Sequence, residues 1–122
     1  NSGVTFASGS EDILPQMELP LEKVLEVLKP YVGKYSMAIE GHTDDSTIGP
    51  FLKSRYATNW ELSSARAVSV INYFINHGIG PARITASGYG STRPIVPNIN
   101  EENRSKNRRV EFHIAVERKE TG

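Results

Sequence analysis

Two neighbouring segments constrain the fold of this chain more than any other feature of it. Residues 35–41 alternate well enough to form a β-strand, and they run into the motif Gly41-His42-Thr43-Asp44-Asp45. Residues 59–76 then repeat apolar side chains at helical spacing, with Thr58 or Asn59 as the cap. The chain therefore places a carboxylate at the end of a strand, and Arg66 about two turns into the helix that follows.

This pair of charges suits a ligand that carries both an amine and a carboxylate. A guanidinium can hold a carboxylate bidentately, helped by the N–H groups of a helix start, and Asp44 can accept the ammonium. Arg66 lies one step from the apolar stripe of its helix, so we expect it at the edge of that stripe, reaching into a groove. Since neither residue belongs to an apolar stripe, we expect their replacement to change thermal stability little.

Each of these residues also has a purely structural interpretation. Asp44 could be a turn or cap carboxylate, and Arg66 could form a salt bridge with Glu40 or Asp45. Arg108 has the same parity as the apolar residues of the last strand, so its stem points to the packed side. We expect Arg108 to be paired or to line the edge of the groove.

The remaining pattern completes an α+β fold. It predicts a strand at 3–6, a helix at about 19–31, a strand from 83 that leads into a turn at 88–90, and a helical turn at 101–106. In the last strand, a packed face (Val110, Phe112, Ile114, Val116) alternates with a wetter one (Arg109, Glu111, His113, Ala115). The order βαβαββ indicates a two-layer sandwich with both helices on one face of a mixed sheet.

Residues 46–58 lack periodicity and contain Gly49-Pro50. A connection of this length inside a compact domain is usually functional or mobile. We therefore expect this loop to be the most mobile part of the domain.

Composition narrows the class of protein further. The chain has 122 residues and predicts one domain, 1–122; with 14 basic and 14 acidic residues, its net charge of zero argues against a nucleic-acid partner. There is no cysteine, and no apolar run approaches the roughly 20 residues of a membrane span. Because the chain begins at Asn1, we interpret it as part of a longer protein.

The sequence offers no clear catalytic or metal-binding arrangement. The three histidines share no ligand spacing such as His-x-x-x-His, so we expect His42 to make a structural hydrogen bond and predict no metal and no cofactor. Asp44 and Asp45 are adjacent, so their side chains diverge and make a poor acid/base pair. We predict that the chain is not an enzyme; a hydrolase is the remote alternative.

Four motifs, in order, cover nearly the whole chain: Gly41-His42-Thr43-Asp44, Asn59-x-x-Leu62-Ser63-x-x-Arg66-Ala67, Gly88-Tyr89-Gly90 and Asn107-Arg108-Arg109-Val110-Glu111. Together they resemble the OmpA-like peptidoglycan-binding domain. The resemblance implies that Asp44 and Arg66 hold the diaminopimelate moiety of the peptidoglycan stem peptide. It makes Asn59 and Leu62 supporting residues, Leu62 mainly through its backbone, with Thr43 and Arg108 as further candidates.

Within that family, Asp44-Asp45 and the segment 59–63 are most similar to the periplasmic domains of flagellar motor stator B subunits. This narrower resemblance implies a homodimeric anchor of an inner-membrane protein in a Gram-negative periplasm. It also implies an upstream membrane helix that joins a stator A subunit. The alternative is the peptidoglycan anchor of another outer-membrane protein or lipoprotein, and the remote alternative is a peptidoglycan hydrolase.

Overall fold

The computed structural model describes residues 4–53 and 55–115, apart from the side chain of Phe51. Helices and strands alternate along this part of the chain, in the order α1 (Pro15–Leu28), β1 (Ser36–Gly41), α2 (Asn59–Asn76), β2 (Ile84–Gly88), α3 (Glu101–Asn107) and β3 (Val110–Ala115). Short 3-10 helices cover Lys29–Tyr31 and Pro50–Leu52. The predicted α+β class is confirmed.

The sheet is mixed, as predicted, with strand order β2-β1-β3. Strand β1 runs parallel to β2, from Met37↔Ile84 to Gly41↔Gly88, and antiparallel to β3, from Ser36↔Ala115 to Gly41↔Val110. The central strand β1 therefore ends between its two neighbours. The residues that follow Gly41 lie at the middle of that end of the sheet.

The helices α1 and α2 cover one face of this sheet, which confirms the two-layer arrangement. Met37 and Ile39 of β1 join one apolar core with the buried side chains of both helices (Met17, Leu21, Leu25, Leu28, Ala67, Val70, Phe74). Helix α2 approaches β1 so closely that a Cβ on Gly41 would lie 1.8 Å from the Ser63 carbonyl oxygen. A glycine is therefore required where the two layers meet.

Helix α2 begins and ends where the sequence predicted, and Thr58 is its N-cap, with a side chain that accepts from the Trp60 N–H. The apolar stripe of α2 faces the core. Its outer side is mixed, because the helix also exposes Trp60, Val68 and Ile75. Among the described residues, none of the helices combines the length and the apolar character that a membrane crossing requires.

The predicted first strand is wrong: the described part of 3–6 forms a single antiparallel bridge, between Thr5 and Arg109. Val4 and Phe6 insert their side chains into the core instead. The Phe6 carbonyl accepts a hydrogen bond from Nε of Arg108, at 2.8 Å, so a side chain takes an acceptor that a ladder would use. Gly3 lies outside the described residues.

Helix α1 begins four residues before its predicted start, so Pro20 is inside the helix rather than in its first turn. Pro15 is already suited to the first helical position, and the earlier start lets Met17 reach the core. The end predicted for this helix, at about residue 31, agrees better with the structure. After α1 ends at Leu28, residues Lys29–Tyr31 continue as a 3-10 helix that contains Pro30.

The predicted alternation holds only for the first half of β3. Val110 is buried and Phe112 packs against the core, but Ile114 is 38% exposed. Helix α2 packs chiefly over β1 and β2, so the far end of the outer strand β3 receives little cover. Val116, the last residue of the predicted packed face, lies outside the described residues.

Candidate binding site

A pocket of about 240 Å³ opens at the end of β1. Its walls come from the residues after β1, the start of α2, the turn at 8–9 and the loop after residue 45. Five of the six predicted ligand-binding residues line it: Thr43, Asp44, Asn59, Leu62 and Arg66. The sixth, Arg108, contacts Asp44 from behind the wall. The structure therefore brings the predicted residues to one place.

Asp44 is buried and makes two hydrogen bonds. Its Oδ2 accepts from Nη1 of Arg108 at 2.9 Å, and its Oδ1 accepts from the Ser46 N–H at 3.0 Å. The second bond is the turn role that the sequence left open as an alternative. A carboxylate can accept about four hydrogen bonds, so roughly two acceptor positions of Asp44 are free for a ligand.

Arg66 is wholly buried, and its guanidinium donates to three backbone carbonyl groups. Nε contacts Ser10 at 2.8 Å, Nη1 contacts His42 at 3.0 Å, and Nη2 contacts Ala7 at 3.0 Å. The predicted edge position is wrong, because the segment 7–10 folds over this part of α2. Among the described residues these carbonyls are its hydrogen-bond partners, in place of the Glu40 or Asp45 carboxylate considered above.

Burial also changes the electrostatics of Arg66. It lowers the pKa of the guanidinium to about 10, an effect that Asp44 counters and the nearby charge of Arg108 adds to. Arg66 therefore stays charged at pH 7. Its three hydrogen bonds use three of the five N–H groups of a guanidinium, which leaves two uncommitted among these contacts.

Arg108 connects the pocket wall to the start of α3. Besides Asp44, it contacts Oε2 of Glu101 through Nη2 at 2.6 Å. Burial opposes the charge of Arg108, but the hydrogen bonds that it donates to Glu101 and Asp44 raise its pKa. The prediction that this side chain is paired is confirmed.

The three remaining predicted residues are held by local contacts. Nδ2 of Asn59 donates to the Ser46 carbonyl at 2.9 Å, and Oγ1 of Thr43 donates to the Asp44 carbonyl at 2.8 Å. The backbone N–H of Leu62, which we expected to serve the ligand, donates to Thr58 within the helix at 3.3 Å. Leu62 instead lines the pocket as a buried apolar residue.

Sequence reasoning missed two segments of the pocket wall. Residues 8–9 and residues 46–49, together with Leu52, line it, and the loop expected to be irregular contains the 3-10 helix Pro50–Leu52. The hydroxyl of Tyr56 donates to Glu11, which also pairs with Arg55 at 3.1 Å. Tyr56 is a buried aromatic residue, and an aromatic in a polar loop was the one signal that this loop is anchored.

The side chain of His42 points away from the pocket, and the prediction that it makes a structural hydrogen bond is wrong. Neither Nδ1 nor Nε2 has a hydrogen-bond partner among the described residues, although the ring stacks on Tyr89 with centroids 5.3 Å apart. Burial, with the nearby charge of Arg109, lowers the pKa of His42 to about 4. The imidazole is therefore neutral at pH 7.

Fold and pocket define the class: a two-layer α+β domain with a charge-balanced pocket at the end of its central strand. The profile of the OmpA family matches residues 5–108, so this chain belongs to the OmpA family.

Three comparisons show which proteins of known name this chain is similar to. The chain is 33% identical over 117 residues to Motility protein B of Helicobacter pylori, covering 95% of this chain but 44% of that protein. A crystal structure of the periplasmic domain of Helicobacter pylori MotB (residues 78-256) superposes with a TM-score of 0.80 at 33% identity, covering 96% of this chain and 73% of that one. The cell wall anchor of the T6SS from Pseudomonas aeruginosa superposes with a TM-score of 0.75 at 33% identity, covering 92% and 75%. The chain thus spans less than half the length of the curated motility relative.

Proposed function

We propose that this domain binds cell-wall peptidoglycan without cleaving it, and so anchors a flagellar motor stator complex to the wall. One observation carries the proposal: the residues singled out for ligand binding, Asp44 and Arg66 among them, line one small charged pocket. The relatives point the same way, since one is a motility protein and another is a cell wall anchor.

The pocket chemistry fits the amine and carboxylate at the end of a diaminopimelate side chain. The two uncommitted N–H groups of Arg66 donate to the ligand carboxylate, and the free acceptor positions of Asp44 take the ammonium. Arg108 keeps Asp44 in place from the opposite side. Such a clamp binds a zwitterion but adds little for a ligand that carries only one of the two charges.

Pocket size supports an end-group ligand. A volume of about 240 Å³ lies below the roughly 300–1,000 Å³ of sites that enclose drug-sized molecules. The pocket therefore accepts one amino-acid-sized group and leaves the remaining peptide and glycan outside. The loop 46–49 and Leu52 close one wall around this group, with Asn59 bonded to the loop at Ser46.

The anchoring role assigns the partners and the location. In this proposal the domain lies in the periplasm, as the related periplasmic domain of MotB does, and belongs to an inner-membrane protein of a Gram-negative bacterium. A membrane helix elsewhere in the whole protein joins the stator A subunit, and two copies of the chain pair. Binding to the wall then holds the complex still, so that torque acts on the rotor.

A second candidate is the anchor of a different wall-spanning system. The T6SS anchor matches this chain at the same 33% identity as the MotB periplasmic domain, with a TM-score of 0.75 against 0.80. Both candidates use the same pocket and the same ligand, and they differ in what the anchored protein does. Neither needs a catalytic group, and both oxygens of Asp44 already accept hydrogen bonds.

Co-sedimentation with insoluble peptidoglycan sacculi tests the proposal. The variant Asp44→Asn removes the charge that takes the ammonium, and we expect sacculus binding to fall about ten- to a hundred-fold. Asp45→Asn is the matched control, because Asp45 is the adjacent, exposed acid and lies outside the pocket lining. This variant should bind as the wild type does.

Melting curves of both variants accompany the binding assay. Equal binding by Asp44→Asn and wild type, or lost binding explained by an unfolded variant, contradicts the clamp. The same incubation tests the absence of catalysis: soluble muropeptides released by the purified, chelator-treated domain would show that it is a hydrolase.

A further inference from the structure

The sheet face that α1 and α2 leave uncovered carries a cluster of ionisable side chains. Glu40 pairs across the strands with Glu111, and His113 pairs with the neighbouring Ala38, so these residues share that face with His42. The sequence does not reveal this group, because its members come from two strands some 70 residues apart and follow no spacing along the chain. None of these four side chains lines the proposed peptidoglycan pocket.

The atoms of this cluster are already close together. Nε2 of His113 lies 3.2 Å from Oε1 of Glu40 and 3.1 Å from Oε1 of Glu111, and Nε2 of His42 lies 3.8 Å from Oε2 of Glu111. One ligand atom from each of Glu40, His42 and Glu111 can be chosen so that all lie within 4.8 Å of one another. Tetrahedral zinc ligands, at about 2.0–2.2 Å from the ion, stand roughly 3.3–3.6 Å apart, so small side-chain rotations suffice.

A buried and unpartnered imidazole points into this cluster. His42 is 1% exposed, and neither ring nitrogen finds a hydrogen-bond partner among the described residues. Leaving a buried polar group unsatisfied costs about 1–3 kcal/mol, so a native structure that keeps one calls for an explanation. A lone pair on Nε2 that can be donated to a metal ion supplies that explanation.

From this geometry we propose that Glu40, His42 and Glu111 bind a first-row divalent transition metal, of which Zn²⁺ is the natural probe, with His113 as a fourth ligand. The outer contacts resemble those of metal sites, where ligating carboxylates are themselves hydrogen-bonded. The Tyr89 hydroxyl donates to Oε2 of Glu40 at 3.3 Å, and Nε of Arg109 donates to Oε2 of Glu111 at 2.6 Å. The Oε1 atoms of both carboxylates thus lie beside Nε2 of His113.

The types of ligand atom in the cluster, rather than its charge, select the class of ion. The Arg109 guanidinium offsets one of the two carboxylates, so the cluster does not attract cations by charge alone. Calcium and magnesium depend on several oxygen ligands and gain little from imidazole. Zinc and its neighbours bind imidazole strongly, so His42 gives these ions an advantage here. His113 is 53% exposed, so an ion can enter from solvent.

Isothermal titration of the chelator-stripped protein with Zn²⁺ alone tests the site. We expect one ion per chain, with affinity weakened at least tenfold in Glu40→Gln and in His42→Leu. His77→Ala is the matched control, because His77 is an exposed histidine at the end of α2, stacked on Tyr73 and outside the cluster. This control should bind zinc as the wild type does.

Two results would overturn the proposal. Zinc affinity unchanged by His42→Leu would show that any bound ion sits on surface groups without the buried imidazole. A wild-type melting temperature raised equally by Ca²⁺ and by Zn²⁺ would show an unspecific acidic surface. Because sacculus binding uses other side chains, either result leaves the peptidoglycan assay unaffected.

Discussion

Buried polar side chains on the two sides of the end of β1 differ in their hydrogen bonding. On the pocket side, Asp44 and Arg66 are both bonded, one to Arg108 and a backbone N–H, the other to three carbonyls. On the open face, His42 is as deeply buried and its ring nitrogens have no partner among the described residues. The difference indicates that hydrogen bonds within the domain already fix the pocket side chains, whereas the part of the chain that the structure describes offers the His42 imidazole none.

The largest effect is expected at Gly41, which lies between the two regions. In Gly41→Ala the new Cβ would meet backbone atoms of Ser63, so α2 must move away from β1 and take Arg66 with it. We expect the free energy of unfolding to fall by about 3 kcal/mol or more, measured by urea denaturation.

Gly80→Ala controls for the loss of a glycine, since a Cβ there meets nothing within 4 Å. The free energy of unfolding of this variant should equal that of the wild type or be slightly higher. If Gly41→Ala were as stable as the control, the close contact between β1 and α2 would not exist in solution.

The next effect follows from the bonds of Arg66. Arg66→Met keeps much of the volume but strips hydrogen bonds from the carbonyls of Ala7, Ser10 and His42. Leaving buried acceptors unsatisfied should lower the free energy of unfolding by roughly 3 kcal/mol. This replaces the sequence-based expectation of a small change, whose premise was an edge position.

Arg104→Met is the matched control, because Arg104 is partly exposed and its ion pair with Asp45 is a loose 3.7 Å. Its free energy of unfolding should differ from that of the wild type by less than about 0.5 kcal/mol. Equal losses in the two variants would mean that Arg66 is not fixed by the segment 7–10.

A smaller effect is expected at Tyr56, which ties the pocket loop to Glu11. Tyr56→Phe removes one buried donor and should lower the free energy of unfolding by about 1 kcal/mol. Tyr31→Phe is the control, since Tyr31 lies on the surface. If both variants had the same free energy of unfolding, the contact between Tyr56 and Glu11 would be absent in solution.

The same residue predicts a pH dependence. Burial, with the hydrogen bond to Glu11, raises the pKa of Tyr56 to about 12, above the value of about 10 for a free tyrosine. The folded state therefore favours the protonated phenol, and this contribution is present below pH 10 and lost as the pH rises from 10 towards 12. Unfolding curves of Tyr56→Phe should show a weaker loss over that range than the wild type; parallel curves would contradict the shift.

The smallest effect is expected at His42. In buffer with a chelator, His42→Leu removes no hydrogen bond and relieves the burial of two polar atoms. The free energy of unfolding should stay within about 0.5 kcal/mol of the wild type or rise. A loss as large as that of Arg66→Met would erase the contrast between the two sides.

Local pattern explains what the sequence predicted well. Strand β1 and helix α2 each carry a clear periodicity and end at recognisable residues, so their bounds were close or identical to those observed. The motif residues came together because they lie at the ends of these elements. The mixed sheet and the order of the elements from α1 onwards followed from the same information.

Contacts between distant segments explain what it missed. Arg66 is covered by carbonyls 56 and 59 residues away, and no local signal shows that 7–10 folds over α2. Likewise the Phe6 carbonyl, which a longer strand ladder would use, accepts from the side chain of Arg108, 102 residues away. The cluster around His42 depends on the register between β1 and β3, which the alternation of each strand alone does not determine.

The most direct test of the account is a titration of the ¹⁵N-labelled domain, followed by NMR, with two soluble stem peptides. One ends in diaminopimelate, and the other carries lysine, which lacks the side-chain carboxylate. The clamp predicts shifts at Thr43, Asp44 and Asn59, and about ten- to a hundred-fold weaker binding of the lysine peptide. Equal affinity for both peptides, or shifts that leave these residues unmoved, would contradict it.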